Sequence, residues 1–288
     1  AASYPVTRGV PRVLAGDVEA KKTETAGRFG EEWHLFDDLG PIFERELLAE
    51  YIAPLEPSVF RGASVLECGC GSGRNIIRIA EYGAREVVGV DLGSSVDVAF
   101  RKSRHLPNVH VVQADIFSIP LATDFDVVFS AGVLHHLPDP DKGFHSTMRH
   151  LRAGGTATHN VYSAENNAWL DRWVTPVRLA LTARLDSRVL YWASFFVSLP
   201  VHLLLVAFYR PLNEVPWTRG LASRLFYNDY AYRMSKIGFR ATWVQIFDQL
   251  TAPVAFFLSR ERLERWPADA GLKGVRFHWR NKNSWNFT

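Results

Sequence analysis

The sequence predicts an α/β fold: a seven-stranded, mostly parallel sheet sandwiched by helices, with a helical insertion between the fifth strand and a C-terminal helix. Three observations lead there. Runs rich in β-branched residues alternate with segments of helical periodicity from residue 63 onward. Three of those runs end at an acidic residue, Glu67, Asp91 and Asp115, and the glycine-rich stretch Gly69-Cys70-Gly71-Ser72-Gly73 joins the first run to the helix behind it. With 288 residues, 47% of them hydrophobic and 22% charged, the chain has the composition of an ordinary globular protein with ample core.

In chain order, residues 63–66 read as a buried strand, and 75–82 carry helical spacing through Ile76, Ile77, Ile79 and Ala80. The glycines therefore stand at a strand-to-helix crossing, where missing side chains let a ligand press against backbone N–H groups at a positive helix end. Such a turn suits a nucleoside cofactor. Its spacing is G-x-G-x-G, not the G-x-G-x-x-G of dinucleotide folds, because Arg74 follows Gly73. Residues 86–90 form a second strand with Asp91 at its C-terminal end, where a carboxylate can accept both hydroxyls of a ribose lying across the strand ends. The third strand, 109–113, leads into Ala114-Asp115-Ile116. Residues 125–130 give the fourth, followed by the loop Ala131-Gly132-Val133-Leu134-His135-His136-Leu137-Pro138. Leu151 to Gly155 are expected to end a helix with a glycine turn before the fifth strand, 156–161. Residues 274–279 and 284–287 supply the last two strands.

With Glu67 two residues before Gly69, this run resembles the first motif of class I S-adenosylmethionine (SAM) methyltransferases of the small-molecule type. The resemblance spans about residues 27–161, with a weaker match from 248 to the end. It implies SAM as cofactor, with S-adenosylhomocysteine as product, and cofactor-binding roles for Glu67, Gly69, Gly71, Gly73, Asn75, Asp91, Leu92, Asp115, Ile116 and Ser130. In that family the residue matching Asp115 receives the adenine amino group. A helix expected from Phe29 through Leu47, Leu48 and Tyr51 would cover the cofactor, with Arg28 or Trp33 at the methionine end. Residues 3–14 resemble the last hairpin of a zinc-ribbon-like module whose upstream cysteines are missing. Either the chain was cut inside that module or the lineage kept only its tail, so no metal is expected. The domain reading is 1–26 as a strap, 27–162 as the SAM-binding domain, 163–247 as a lid and 248–288 as the C-terminal helix and strands.

Methyl transfer from a sulfonium is an in-line displacement, so the protein positions two reactants and, where needed, removes a proton. His135 and His136 follow the fourth strand, where bases in this fold commonly stand. His159 and His202 are weaker candidates. The Asn/Asp/Ser-Pro-Pro-aromatic loop that marks methylation of exocyclic or amide nitrogens is absent at Ser130-Ala131-Gly132-Val133. A net charge of +3 without a polybasic block gives no sign of nucleic acid, and the two cysteines, Cys68 and Cys70, make neither a disulfide framework nor a zinc set. Residues 1–30 lack the apolar core of a signal peptide, so a cytoplasmic enzyme is expected.

Residues 189–209 carry no formal charge and are long enough to span a bilayer, but a crossing would part strands of one sheet. Pro200 suggests a kinked or broken helix. The run admits three readings: a lid over an apolar substrate pocket, a dimerisation face, or a monotopic patch on lipid. The lid is the expectation, with a homodimer and peripheral membrane contact as the others. A helix over 223–240 is expected to bring Tyr227, Asn228, Tyr230 and Arg233 to the substrate. The acceptor expected is a small, largely apolar metabolite such as a natural-product, quinone-like or lipid precursor, methylated at oxygen or carbon. The alternative is an inactive SAM-binding regulatory or scaffold subunit; a dinucleotide oxidoreductase is disfavoured by the glycine spacing.

Overall fold

The computed structural model describes residues 3–14, 18–37, 41–121 and 124–288. A hairpin comes first, β1 (Val6–Thr7) and β2 (Val10–Pro11), pairing antiparallel. Val10 is fully buried, Arg12 bonds Gln113 at 3.1 Å and pairs with Asp97, and the hairpin thereby straps the rim of the main sheet. Such a cover protects the unpaired groups of an edge strand.

Two helices then replace the single one expected over 29–51: α1 (Ala20–Leu35) and α2 (Pro41–Ile52). The Phe36 amide closes α1 on the Glu32 carbonyl at 2.8 Å, and Pro41 opens α2, where its missing N–H costs nothing. Residues 38–40, which the expected helix crossed, lie outside the described residues.

The central unit alternates β3 (Ser64–Cys68), α3 (Arg74–Glu81), β4 (Glu86–Asp91), α4 (Ser95–Ser103), β5 (Val109–Gln113), β6 (Phe125–Ala131), α5 (Pro140–Met148) and β7 (Leu151–Tyr162). All five strands run parallel. Every residue of β3 is buried, as befits a strand covered on both faces. An insertion follows, with α6 (Thr175–Ala180), α7 (Ser187–Leu204), α8 (Arg210–Glu214), α9 (Arg219–Ala222), α10 (Asn228–Ile237) and α11 (Phe239–Thr251). The chain ends with α12 (Arg260–Asp269) and two strands, β8 (Phe277–Arg280) and β9 (Ser284–Phe287), which pair antiparallel. The seven strands stand in the order β5-β4-β3-β6-β7-β9-β8, with β9 antiparallel to β7. Sequence order reverses between β3 and β6. Open α/β sheets bind ligands at such a reversal, outside the carboxyl ends of the strands.

Four local expectations are corrected. The Leu151–Gly155 stretch is strand, not the end of a helix: β7 already pairs at Leu151 with Phe125, and the register jumps so that Val127 next meets Thr156. Gly154, at φ 76°, makes a bulge there. The helix expected over 223–240 breaks at Gly238, whose φ of 111° and ψ of 169° no helix accommodates, into α10 and α11. Pro200 does not break α7, which continues through it; the irregularity falls later, in a π-turn over Leu205–Tyr209. Finally, α7 is not a lid, because none of its residues lines the cavity described below. It packs outside α11, through the ring cluster of Phe36, Tyr191, Trp243 and Phe247.

The turn after β3 depends on Gly73, which caps α3 at φ 79°. A Cβ added there would lie 2.8 Å from the Ala99 Cα of α4, against backbone that cannot swing aside. Gly73→Ala is expected to lower unfolding stability by about 2–4 kcal/mol, from the left-handed backbone and the overpacking together. Urea titration followed by circular dichroism measures it; an unchanged midpoint would show that α3 and α4 separate freely.

Candidate functional site

A cleft of about 1540 Å³, open mouth included, lies at the C-terminal ends of β3, β4 and β6. Its first wall is the glycine turn, with Gly69, Cys70, Gly71, Ser72, Arg74 and Asn75 lining it. Gly71 stands at φ 50°, and a Cβ there would come within 3.0 Å of Trp33 Nε1, so the turn admits only glycine beneath the indole. The Arg74 guanidinium lies over the same indole at 4.6 Å. Cys68 and Cys70 are buried, and burial pushes both thiols up from their ordinary range.

Carboxylates dominate this wall. Asp91 Oδ2 accepts from the Gly71 amide at 2.9 Å and Oδ1 from the Gly93 amide at 2.8 Å, which fixes the carboxylate at the end of β4. Its pKa is raised, burial outweighing those bonds. Beneath the turn, Glu67 is fully buried; Oε1 accepts from Asn75 Nδ2 at 2.7 Å, while Oε2 has no partner among the described residues. Burial pushes its pKa up to about 8. Glu32 of α1 lines the cleft, also leaves Oε2 unpartnered, and is raised well above the usual carboxylate range by burial and then by neighbouring Asp248. Glu32, at the cleft wall, suits a ligand whose methionine end carries an ammonium and a sulfonium, since a positive charge there favours its ionised form. At the end of β5, Asp115 Oδ1 caps the next turn by accepting from the Phe117 amide at 2.9 Å, and Oδ2 pairs with buried Lys22. The Lys22 ammonium also sits 4.1 Å above the Phe117 ring.

A second set of lining residues comes from α2, α10, α11 and the β8–β9 turn: Tyr51, Tyr230, Arg233, Gln245, Asp248, Arg280, Asn281 and Asn283. Tyr230 donates to Gln245 Oε1 at 3.2 Å. Glu50 holds both Arg233 and Arg280, the latter at 2.5 Å and 3.0 Å. Tyr162, at the end of β7, donates to Asp248 Oδ2 at 2.5 Å.

The two histidines of the loop after β6 part company. His136 lines the cleft, and its Nδ1–H donates to the Val254 carbonyl at 2.7 Å, which leaves Nε2 as a bare acceptor. Burial lowers its pKa, so the ring is neutral at physiological pH. His135 does not line the cleft; its Nδ1 accepts weakly from the Tyr162 amide at 3.4 Å, and the ring stacks 3.9 Å from that of Tyr162.

Of the residues singled out from sequence, the cleft brings together Trp33, Gly69, Gly71, Asn75, Asp91, Leu92, Asp115, Ile116, His136, Tyr230 and Arg233. Several others stand elsewhere. Arg28 donates to the Ala183 and Leu185 carbonyls at 2.6 Å and 2.7 Å and ties α1 to the insertion. Ser130 donates to the Cys68 carbonyl at 2.9 Å between two strands. Glu67 lies beneath the turn, and Gly73 packs on α4. Tyr227 precedes α10 in a left-handed conformation and donates to Asn167, while the Asn228 amide pairs with that of Asn213 at 2.8 Å and 3.0 Å. His159 is buried core, its Nε2 bonded to Thr147 Oγ1 at 3.1 Å, and His202 bonds Thr242 Oγ1 at 2.9 Å. Sequence reasoning missed Lys22, Glu32, Arg74, Tyr162, Asp248 and Arg280. Only Tyr162 carried a legible signal, as the last residue of a parallel strand.

Residues 65–155 match the family model described as a methyltransferase domain. The chain carries a class I SAM-dependent methyltransferase domain, and its cofactor is S-adenosylmethionine. Among curated relatives it is similar to the tRNA U34 carboxymethyltransferase of Pseudoalteromonas translucida (strain TAC 125), 35% identical over 111 residues that cover 38% of this chain and 33% of the relative. The enzyme of the same name from Colwellia psychrerythraea (strain 34H) is 33% identical over 125 residues, 42% of this chain and 37% of its own. The chain thus spans about a third of the length of the curated relatives it matches. Among solved structures, the [4+2]-cyclase SpnF is 26% identical over 41% of this chain and 44% of its own, with a TM-score of 0.35.

These relatives, named for a tRNA position, overturn two expectations: a small apolar metabolite as acceptor, and the exclusion of nucleic acid. The inactive scaffold alternative gains no support from them either. Net charge averages over the whole chain and so does not report the arginines, amides and tyrosines that the cleft gathers beside its apolar residues.

Two predictions follow from this geometry. Asp91→Ala is expected to weaken SAM binding by about 1.5–3 kcal/mol, the size of a hydrogen bond to a charged group, with the fold retained; titration calorimetry measures it, and unchanged affinity would displace the ribose from Asp91. His159 is held neutral, its pKa pushed down by burial from 6.5 to about 3. The unfolded chain binds that proton below its ordinary pKa while the native state does not, so this residue costs stability as pH falls through 6.5 and continues to do so to about 3. From pH 6.5 to 5 the loss attributable to it is about 2 kcal/mol, and His159→Phe should flatten the slope of stability against pH in that window.

Proposed function

We propose that this chain transfers the methyl group of SAM to a nucleobase of a tRNA, with a pyrimidine turned out of its stack into the cleft. The observation that carries the reading is the second set of lining residues: two tyrosines offer faces for a planar ring, and Gln245, Asn281 and Asn283 offer paired donors and acceptors for its edge. The tRNA relatives support the same acceptor class. Uracil has no exocyclic amino group, which accords with the missing Pro-Pro-aromatic loop after β6.

At the cofactor end, Asp91 takes the ribose hydroxyls, Ile116 and the Asp115–Lys22 pair border the adenine, and Glu32 faces the cationic methionine end, while Glu67 supports the turn from beneath. SAM supplies an electrophilic methyl group. His136, which lines the cleft with its Nδ1–H engaged by the Val254 carbonyl, accepts at Nε2 the proton released as the acceptor attacks, and Asp248 lies close enough to stabilise the imidazolium that forms. The Tyr162–Asp248 bond holds that carboxylate in place.

The test is incubation with methyl-labelled SAM and bulk tRNA, ribosomal RNA or a lipid extract, then nucleoside mass spectrometry. Label in a tRNA pyrimidine is expected, and His136→Ala should cut the rate by about 10²–10⁴-fold with SAM affinity unchanged. Unlabelled tRNA beside a labelled lipid fraction would overturn the acceptor; full activity in His136→Ala would overturn the base.

A further inference from the structure

The helical rod from Ser187 to Glu214, 28 residues long, is apolar on faces that nothing in the described structure covers. The stripe that α7 turns toward α11 sets small polar residues among apolar ones: Ser187, Ser194 and Ser198 are buried beside Leu190; Tyr191 and Phe195 pack on Trp243, and His202 bonds Thr242. Trp243 Nε1 donates to Ser194 Oγ at 2.9 Å, and Ser198 Oγ donates to the Ser194 carbonyl at 2.6 Å. The outward faces carry Val189, Trp192, Phe196, Leu199, Leu203 and Phe208, all exposed, Phe196 at 69%. Only 22% of its most apolar stretch is buried. A helix at a protein surface in water turns polar residues outward, whereas large apolar residues facing out, with small hydroxyl residues among those that face protein, is the pattern of helices in lipid. Trp173, just before α6, and Trp217, between α8 and α9, are exposed too, the latter at 85%, and exposed apolar residues gathered in this way mark an interaction surface.

We infer that this face seats the protein on the surface of an anionic bilayer, with the rod lying in the plane of the headgroups. Charge selects lipid over a second copy of the chain. The segments bordering the patch expose Arg172, Arg184, Arg188, Arg210, Arg219 and Arg224, against Asp171, Asp186 and Glu214. A twofold interface would bring these excess arginines toward one another, while anionic headgroups pair with them and exposed tryptophans settle at the same depth. Topology selects surface over span. β7 before the insertion and β9 after it pair in one sheet, so both ends of the insertion remain on one side of the membrane.

The test is sedimentation of the purified chain with vesicles of phosphatidylcholine alone or mixed with phosphatidylglycerol, at low and high salt. Binding to the mixed vesicles that weakens with salt is expected. The triple variant Trp192→Ser, Phe196→Ser, Leu203→Ser should lower the partition coefficient by about a hundredfold, and Arg184→Glu with Arg188→Glu should remove the salt-sensitive part. None of these residues lines the cleft, so SAM affinity, measured by calorimetry, reports that each variant is folded. No binding to either vesicle by the folded parent chain would overturn the inference. So would a vesicle-free dimer, seen by light scattering, that the triple variant dissociates.

Discussion

Antiparallel pairing of β9 with β7, from His159 against Phe287 to Tyr162 against Ser284, is the constraint on which the rest of the molecule leans. It brings the chain end back beside the centre of the sheet after a long helical excursion. Asn286 locks the return: its Nδ2 donates to the Glu50 and Ala53 carbonyls at 2.7 Å and 3.0 Å, and its Oδ1 accepts from Asn160 at 2.7 Å. The strand thereby fastens α2 to the sheet, and the β8–β9 turn delivers Arg280, Asn281 and Asn283 to the cleft. Without it the acceptor side would have no floor, and the insertion would be free to leave the side of the sheet on which it begins.

Charge in the cleft is arranged in layers. Carboxyl groups crowd the glycine turn, two of them with a buried oxygen that has no partner among the described residues. Cations hold the periphery, most of them already engaged: Lys22 by Asp115, and Arg233 and Arg280 by Glu50. Burial raises the pKa of Glu67, Glu32 and Asp91, so ionising them in this low-dielectric pocket is costly until a positive ligand answers the charge, and the ligand of this domain is a sulfonium. Affinity for the cofactor and destabilisation of the empty site are thus two faces of one arrangement.

The parallel half of the fold and the cofactor end of the cleft were legible because their signals are local. A strand ending in Glu67, Asp91 or Asp115 places its carboxylate by the geometry of the strand end alone, and the glycine turn needs no distant partner. Arg28 and Ser130 were misassigned because proximity in sequence to the turn says nothing about which carbonyl a side chain will find. Glu32 and Asp248 were invisible, since each becomes functional only when helices far apart in sequence pack over the same cleft. The helical insertion defeated periodicity for a different reason: α7 is apolar on its outward faces as well as on the face that packs, so its hydrophobic run was read as cover for a pocket when only Leu190, Tyr191, Phe195 and the buried serines meet the protein.

Cys68 and Cys70 flank the first glycine of the turn, closed off from solvent and with their thiolates disfavoured by burial. A thiol in that state ignores oxidants and alkylating reagents as long as the turn stays shut. Its slow labelling therefore counts the moments when strand and helix part. The chain carries at its cofactor turn a chemical clock for local opening, one that a tightly bound nucleoside would slow and that needs no engineered probe to be read.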